Sequence, residues 1–130
     1  MLVEDDKIDA LTVKMALKEI KVTNELIHVT NGVEALEYLK DESKEKPCII
    51  LLDLNMPKMG GIEFLEKRKE DESITTIPVI VLSTSKADSD KLATFKLHIA
   101  GYMIKPVDYK KFVEVMRAIN VYWTLSESVD

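Results

Sequence analysis

The stretch CIILLDLNMPKMGG, residues 48 to 61, places a charged group directly after a continuous apolar run. Residues 48–52 are all apolar, Asp53 follows them, and a proline and two glycines come within the next eight positions. An uninterrupted apolar run of this kind is typical of a strand that is buried on both faces of a parallel sheet. Proline and glycine then favour a turn. We therefore expect Asp53 to lie at the end of a central strand.

The rest of the chain alternates between short apolar runs and amphipathic segments. Strands are predicted for MLV, LIHV, CIILL, IPVIVL and AGYMI. Helices are predicted for DALTVKMALKEI, NGVEALEYLK, GIEFLEKRKED, SDKLATFKL and DYKKFVEVMRAINVYW. Five strand and helix pairs are typical of an α/β protein with helices on both faces of a parallel sheet. Residues 1–130 are expected to form a single domain.

Helical spacing also predicts which side chains face the core. In the first helix it places Leu11 and Met15 on the apolar side, with Ala10, Leu17 and Ile20 as further members. The core side of the last helix is predicted to carry four residues, Phe112, Val115, Met116 and Ile119.

The composition argues against several classes of function. The net charge is −5 and basic residues alternate with acidic ones, so no nucleic-acid partner is expected. No apolar run approaches the roughly 18 residues of a membrane span, and the start MLVEDDKIDA lacks the features of a signal peptide. A cytoplasmic protein with no membrane contact is therefore expected. The single Cys48 is predicted to be a small buried residue.

Polar side chains follow four of the five predicted strands. They are Glu4, Asp5 and Asp6 after the first strand, Asp53 after the third, Ser83 and Thr84 at the fourth, and Lys105 after the fifth. Taken singly, each has a structural explanation as a turn, a helix cap or an exposed lysine. Ligands of open parallel sheets, however, bind outside the carboxyl ends of the strands. Together, these residues predict a functional site at that edge.

The residue types at this edge indicate phosphoryl transfer. Carboxylates that converge repel one another and lose solvation, so they require a cation. Mg²⁺ suits such a cluster, because it is bound by one or two carboxylates together with waters and a phosphoryl oxygen. Lys105 and a small hydroxyl would contact the other oxygens of a phosphoryl group. Asp53 is the best candidate for a nucleophile that forms an aspartyl-phosphate, because it ends the most apolar strand.

Four segments, LVEDD, LLDLNMPKMGG, IPVIVLSTS and AGYMIKP, resemble in order and spacing the receiver domain of two-component response regulators. The resemblance covers essentially the whole chain. It implies a (βα)5 doubly wound, flavodoxin-like fold with a five-stranded parallel sheet in the order 2-1-3-4-5. It also implies a phosphorelay protein that receives a phosphoryl group from the phosphohistidine of a histidine kinase. Such a protein is not an enzyme on other substrates, since it catalyses only its own phosphorylation and dephosphorylation.

The resemblance implies a metal-binding role for the acidic residues. Asp53 would be the phosphoacceptor and, with Asp5, a direct ligand of Mg²⁺ or Mn²⁺. Glu4 would hold a metal-bound water, and Asn55 would contribute its backbone carbonyl. Asp6 falls one place beyond the usual acidic pair and is expected to be a turn residue.

The resemblance also implies roles around the phosphoryl group. Ser83 would contact the group, Lys105 would form an ion pair with it, and Tyr102 would turn inward as the aromatic switch when Ser83 moves. Asn55 and Ser85, each two positions after a reactive residue, are expected to tune the lifetime of the phosphorylated state. The Lys105–Pro106 peptide bond is expected to be cis.

The C-terminal segment VDYKKFVEVMRAINVYWTLSE is similar to the end of the single-domain regulators associated with phytochrome-type histidine kinases, which have no output domain. The implied partners are a phytochrome-like sensor kinase and a downstream protein or phosphotransfer protein. A homodimer is expected through the fourth helix, the fifth strand and the fifth helix. Val121, Tyr122 and Trp123 would extend this face, because they form an apolar cluster.

Two alternatives remain open from the sequence. Phosphohydrolases of the haloacid-dehalogenase type also carry a nucleophilic aspartate after a parallel strand, but they require a second aspartate where this chain has Asn55. A receiver-like interaction module that is never phosphorylated is the other alternative. The set Asp5, Asp53, Ser83 and Lys105 argues against it, since such modules usually lose one member.

Overall fold

Five parallel strands form one sheet in the order β2-β1-β3-β4-β5. The structure is a computed structural model that describes residues 1–54, 56, 58–84 and 88–125. The strands are β1 (Leu2–Val3), β2 (His28–Val29), β3 (Ile50–Leu52), β4 (Val79–Ser83) and β5 (Gly101–Ile104). The α/β, doubly wound, flavodoxin-like fold and the strand order 2-1-3-4-5 are therefore confirmed.

Helices cover both faces of the sheet. They are α1 (Lys7–Glu19), α2 (Gly32–Lys40), α3 (Gly61–Lys69), α4 (Glu72–Thr75), α5 (Asp88–Phe95) and α6 (Tyr109–Leu125). The sequence did not predict α4, because four residues are too few for a helical period to be recognised. The predicted fourth and fifth helices correspond to α5 and α6. None of the described helices combines the length and the apolar character that a membrane crossing requires.

Alternation along the strands divides the apolar residues between two cores. Val3 and Leu52 belong to the core under α2 and α3, whereas Leu2 and Leu51 belong to the core under α1 and α6. In the second core, α6 contributes buried Phe112, Met116 and Ile119 as predicted, together with Val113, and Val115 is partly buried against it. The paired strands β1 and β3 thus lie at the centre, covered on both sides.

The core side of α1 was predicted correctly in part: Ala10 is buried and Leu17 and Ile20 pack partly buried against the second core, but Leu11 and Met15 do not face it. Leu11 and Met15 are 56% and 51% exposed, and the buried residues of the helix are Ala10, Val13 and Ala16. Both sets have helical spacing, so the period alone could not choose between them. The set with smaller side chains faces inward because it allows α1 to lie close to the sheet and to α6.

Two further expectations are also wrong. Cys48 is exposed, since β3 begins only at Ile50 and the cysteine lies in the preceding connection. The described residues contain no cis peptide bond. The Lys105–Pro106 bond therefore has the trans form, which is the more stable form of a bond before proline.

Candidate functional site

Three carboxylates meet where β1 and β3 end. The register pairs Val3 with Leu52, so the residues that follow the two strands emerge side by side. Oxygens of Glu4, Asp5 and Asp53 lie within 4.8 Å of one another. The Glu4 side chain is buried, that of Asp53 is partly buried and that of Asp5 is exposed. The cluster is therefore open to solvent on one side.

Backbone hydrogen bonds fix two of these carboxylates. The amide of Asp53 donates to the carbonyl of Val3 at 3.1 Å, and the amide of Glu4 donates to the carbonyl of Val29 at 3.0 Å. The ring Nε2 of His28 lies 2.8 Å from the carbonyl oxygen of Glu4. The sheet itself therefore positions the acidic side chains.

Lys105 brings a cation to the cluster from the end of β5. Its amide donates to the carbonyl of Ser83 at 2.8 Å. Its Nζ lies 2.7 Å from Oε1 of Glu4, 3.5 Å from Oδ2 of Asp9 and 3.9 Å from Oδ1 of Asp53. One ammonium is thus shared among three carboxylates, and it lies closest to Glu4.

Asp9 is a member of this site that sequence reasoning missed. It lies in the first turn of α1, which begins at the same edge of the sheet. The position of Asp9, four residues after Asp5, could have indicated its role. A helix that starts at the end of a strand carries the residues of its first turn close to a site at that strand end. Asp6, expected to be a turn residue, caps this helix by accepting hydrogen bonds from the amides of Ile8 and Asp9.

Burial and charge shift the ionisation of the two residues that form the closest pair. Burial raises the pKa of Glu4 to about 7; the hydrogen bond and charge of Lys105 oppose this rise, and the negative charge of Asp53 adds to it. For Lys105, burial disfavours the ammonium, but the carboxylates of Glu4, Asp53 and Asp9 outweigh burial and raise its pKa. The site therefore holds a positively charged Lys105 beside Glu4. Burial makes the ionised form of Glu4 unfavourable unless a second cation is present.

Ser83 and Tyr102 lie on neighbouring strands at the same face of the sheet. Tyr102 pairs with Val81, which is two residues before Ser83, and alternate residues of a strand point to the same face. Ser83 is fully buried, and Tyr102 packs partly buried against the core under α2 and α3. Thr84, the next residue, is exposed. Asn55 and Ser85 lie outside the described residues.

Gly61 permits α3 to begin directly against the end of β3. A Cβ at this position would lie 2.7 Å from the carbonyl oxygen of Asp53 and 2.8 Å from the Cα of Leu54. Both are backbone atoms, so a side chain would force the strand end to move. Glycine is required here because the end of β3 and the start of α3 approach too closely to leave room for a side chain.

The donor set fits a hard divalent cation. Mg²⁺ and Mn²⁺ prefer carboxylate, carbonyl and water oxygens, and the oxygens of Glu4, Asp5 and Asp53 are close enough to surround one ion. Such an ion would also compensate the buried charge of Glu4. A cavity of about 420 Å³ lies elsewhere, beside residues that precede the strands, including Met1, Leu26 and Cys48. It is not part of this cluster.

Comparisons with known proteins give one consistent family. The sequence profile of the response regulator receiver domain matches residues 1–117. Response regulator Rcp1 of Synechocystis sp. is 35% identical over 127 residues, which cover 95% of this chain and 86% of Rcp1. The polar-differentiation response regulator DivK of Brucella anthropi is 28% identical over 119 residues, covering 91% of this chain and 92% of DivK.

Solved structures agree with the sequence comparisons. The phosphorylated cyanobacterial phytochrome response regulator RcpA superposes with a TM-score of 0.92 at 34% identity, covering 99% of this chain and 96% of RcpA. The Mn²⁺-bound form of Rcp1 has a TM-score of 0.88 at 34% identity, with the same coverage. The similarity thus includes proteins whose structures carry a phosphoryl group or a divalent metal.

Proposed function

This chain belongs to the response regulator receiver domain family of two-component signalling, and we propose that Asp53 is its phosphoacceptor. The observation that carries the proposal is the meeting of Glu4, Asp5 and Asp53 within 4.8 Å, with the Lys105 ammonium 3.9 Å from Asp53. The comparisons give no support to the alternative of a phosphohydrolase, and members of this family are signalling proteins. The proposed donor is the phosphohistidine of a sensor kinase.

The three carboxylates would hold Mg²⁺ or Mn²⁺, with Asp5 and Asp53 as direct ligands and Glu4 acting through water. The bound ion supplies positive charge to the phosphoryl oxygens and offsets the repulsion among the carboxylates. The backbone carbonyl of Asn55 is the proposed further ligand. The carboxylate oxygens of the cluster, which are the donors that Mg²⁺ and Mn²⁺ prefer, support this ligand set.

An oxygen of Asp53 attacks phosphorus in line, and the bond from phosphorus to the histidine nitrogen breaks as that nitrogen takes the electron pair. As the new bond to phosphorus forms, Lys105 moves from Glu4 toward a phosphoryl oxygen and stabilises the charge of the group in transfer. The hydroxyl of Ser83 donates a hydrogen bond to a further oxygen. Hydrolysis of the acyl phosphate resets the site, and Asn55 and Ser85 are the proposed positions that tune its rate.

Phosphorylation is proposed to change the surface formed by α5, β5 and α6. When Ser83 moves toward the phosphoryl group, Tyr102 can turn inward, because the two residues lie at the same face of adjacent strands. A covalent charge would thus shift a packed element between two states. Leu92 and Phe95 on α5 are 58% and 53% exposed, so this surface already presents apolar contacts.

The proposed input is a phytochrome-like histidine kinase, since RcpA is a phytochrome response regulator with 34% identity to this chain. The proposed output is contact with a downstream protein or transfer of the phosphoryl group to a phosphotransfer protein. Residues 1–130 would act as one receiver domain in the cytoplasm.

A homodimer through the α5, β5 and α6 surface is part of the proposal. Val121 and Tyr122 are 50% and 61% exposed on α6, an arrangement that favours a contact surface. Light scattering of Tyr122→Lys should then show a shift toward monomer. Val33→Lys is a matched control, since Val33 is an exposed apolar residue on α2, and α2 packs against a different core from α6. A wild-type protein that is monomeric at all concentrations, with and without phosphorylation, would contradict the dimer.

Incubation with acetyl phosphate and Mg²⁺, followed by intact mass, tests the phosphoacceptor. We expect one added phosphoryl group on the wild type, none on Asp53→Asn, and none on the wild type in the presence of EDTA. Wild-type protein that stays unlabelled would instead favour the interaction module that is never phosphorylated. Equal labelling of Asp53→Asn would reject the assignment of Asp53.

A further inference from the structure

We propose that Asp9 is a positioning residue that holds the ammonium of Lys105 away from the phosphoryl site and so slows phosphoryl capture. The inference rests on the proposed function of Asp53. Asp9 has no part in the metal cluster described above, whose members are Glu4, Asp5 and Asp53. Its Oδ2 nevertheless lies 3.5 Å from Nζ of Lys105, closer than the 3.9 Å that separates that nitrogen from Asp53.

Asp9 competes for Lys105 most effectively when a cation is bound. A divalent ion would neutralise Glu4 and Asp53, and their hold on the ammonium would then weaken. Asp9 lies outside the cluster, so a bound ion would weaken its attraction for the ammonium less. The ammonium would therefore remain on the side of α1 until a phosphoryl oxygen displaces it.

The position of Asp9 is fixed by the start of α1. Its amide donates to Oδ1 of Asp6 at 3.0 Å, within the cap of the helix. A negative charge in the first turn of a helix is also favourable, since the helix dipole is positive at that end. The carboxylate is thus held beside Lys105 without support from the metal ligands.

The expected effect is modest, because 49% of the Asp9 side chain is exposed whereas only 12% of the Lys105 side chain is exposed. Ion pairs that are partly open to water contribute little. Loss of the Asp9 charge should accelerate phosphorylation of Asp53 by about threefold.

The experiment measures the rate of phosphorylation by acetyl phosphate at saturating Mg²⁺, using intact mass. Asp9→Asn should react about threefold faster than the wild type. In a Lys105→Met background the same substitution should have no effect, because Asp9 acts through Lys105. Asp6→Asn is the matched control, because it removes one charge from the same end of α1 and Asp6 makes no ion pair with Lys105. Asparagine can still cap the helix. Its rate should equal that of the wild type.

Other outcomes overturn the proposal. An Asp9→Asn rate equal to or below that of the wild type would show that the aspartate does not restrain the lysine. An acceleration that persists with Lys105→Met would show that the Asp9 charge merely repels the anionic donor. Thermal melts of all variants establish that each is folded. If the wild type itself carries no phosphoryl group on Asp53, the proposed function fails, a result distinct from normal wild-type labelling with an unchanged Asp9→Asn rate.

Discussion

Lys105 and Glu4, which are 101 positions apart in the sequence, form an ion pair with 2.7 Å between Nζ and Oε1. The pair joins the ends of β1 and β5 across the edge where Asp53 lies. Among the described residues, Lys105 is the only lysine whose ammonium lies within ion-pair distance of Asp53. The pair therefore keeps this ammonium close to the proposed phosphoryl position.

Replacement of Lys105 by methionine should separate metal binding from phosphoryl capture. The acidic cluster would lose the ammonium that competes with a metal ion, so Mg²⁺ affinity should be retained or increased. The transferred charge would lose a donor, and the rate should fall by about 100-fold. Calorimetric Mg²⁺ titration and labelling by acetyl phosphate measure the two effects. Lys110→Met, an exposed lysine on α6, should match the wild type in both, and a normal rate in Lys105→Met would contradict the role of the lysine.

Binding of Mg²⁺ should stabilise the fold through the acidic cluster. At a concentration 100 times the dissociation constant, one site adds about 2.7 kcal/mol to the free energy of unfolding. Asp53→Asn should unfold at a higher temperature than the wild type in EDTA, because it removes one repelling charge, and it should respond less to Mg²⁺. Glu114→Gln, an exposed change on α6, serves as the control. A lower melting temperature of Asp53→Asn in EDTA would argue against repulsion in the cluster.

Alanine at position 61 should damage the site as well as the fold. The new Cβ would lie under 3 Å from two backbone atoms at the end of β3, and overpacking of this kind costs about 1–3 kcal/mol. Because one of these atoms belongs to Asp53, phosphorylation should slow too. Gly60→Ala is the matched control, since its Cβ would meet nothing closer than 3.4 Å. Urea unfolding that shows equal stability for the two variants would refute the close-approach argument.

Arg68 is buried on α3 and connects three segments at once. Its Nη2 donates to the carbonyls of Thr75 and Ile77, at 2.8 and 3.0 Å, and its Nη1 donates to the carbonyl of Leu97 at 3.3 Å. Arg68→Ala would leave these acceptors unpaired and open a cavity, so the free energy of unfolding should fall by about 3 kcal/mol. Lys69→Ala, at the exposed neighbouring position, should change it by less than about 0.5 kcal/mol. Urea titration distinguishes the two, and equal losses would contradict the role of Arg68.

Asp71 should make the stability of the protein depend measurably on pH in the acidic range. The hydroxyl and amide of Ser73 donate to Oδ1 of Asp71 at 2.7 and 2.9 Å and hold the pKa of that carboxyl below its usual 3.8. A lowered folded-state pKa contributes stability that is present above pH 3.8 and is lost as the pH falls through the folded value. Wild type should therefore melt higher than Asp71→Asn at pH 7, and the difference should vanish in acid. A difference that does not change with pH would exclude the charge as its cause.

Local patterns predicted the parallel α/β sheet and the edge at which Glu4, Asp5, Asp53 and Lys105 meet, whereas the strand order and the proposed roles of these residues came from the resemblance to the receiver domain. Continuous apolar runs identified the strands, and the polar residues after them had to converge, since parallel strands end at one edge. Asp9 was missed because it lies inside a helix, and only the direction of α1 brings it to Lys105. Leu11 and Met15 were placed in the core because two sides of α1 share the same period, and packing distance decides between them. Cys48 was misplaced because an apolar run does not show where hydrogen bonding of a strand begins.

Borohydride trapping of the phosphorylated protein shows which residue carries the phosphoryl group. The reagent reduces an aspartyl-phosphate to homoserine and releases the phosphate, so peptide mass spectrometry identifies the residue that carried it. After treatment with acetyl phosphate and Mg²⁺, we expect homoserine at position 53, and none when EDTA is present. Homoserine at another aspartate, or a phosphoryl group that survives borohydride, would contradict the assignment of Asp53 as the nucleophile.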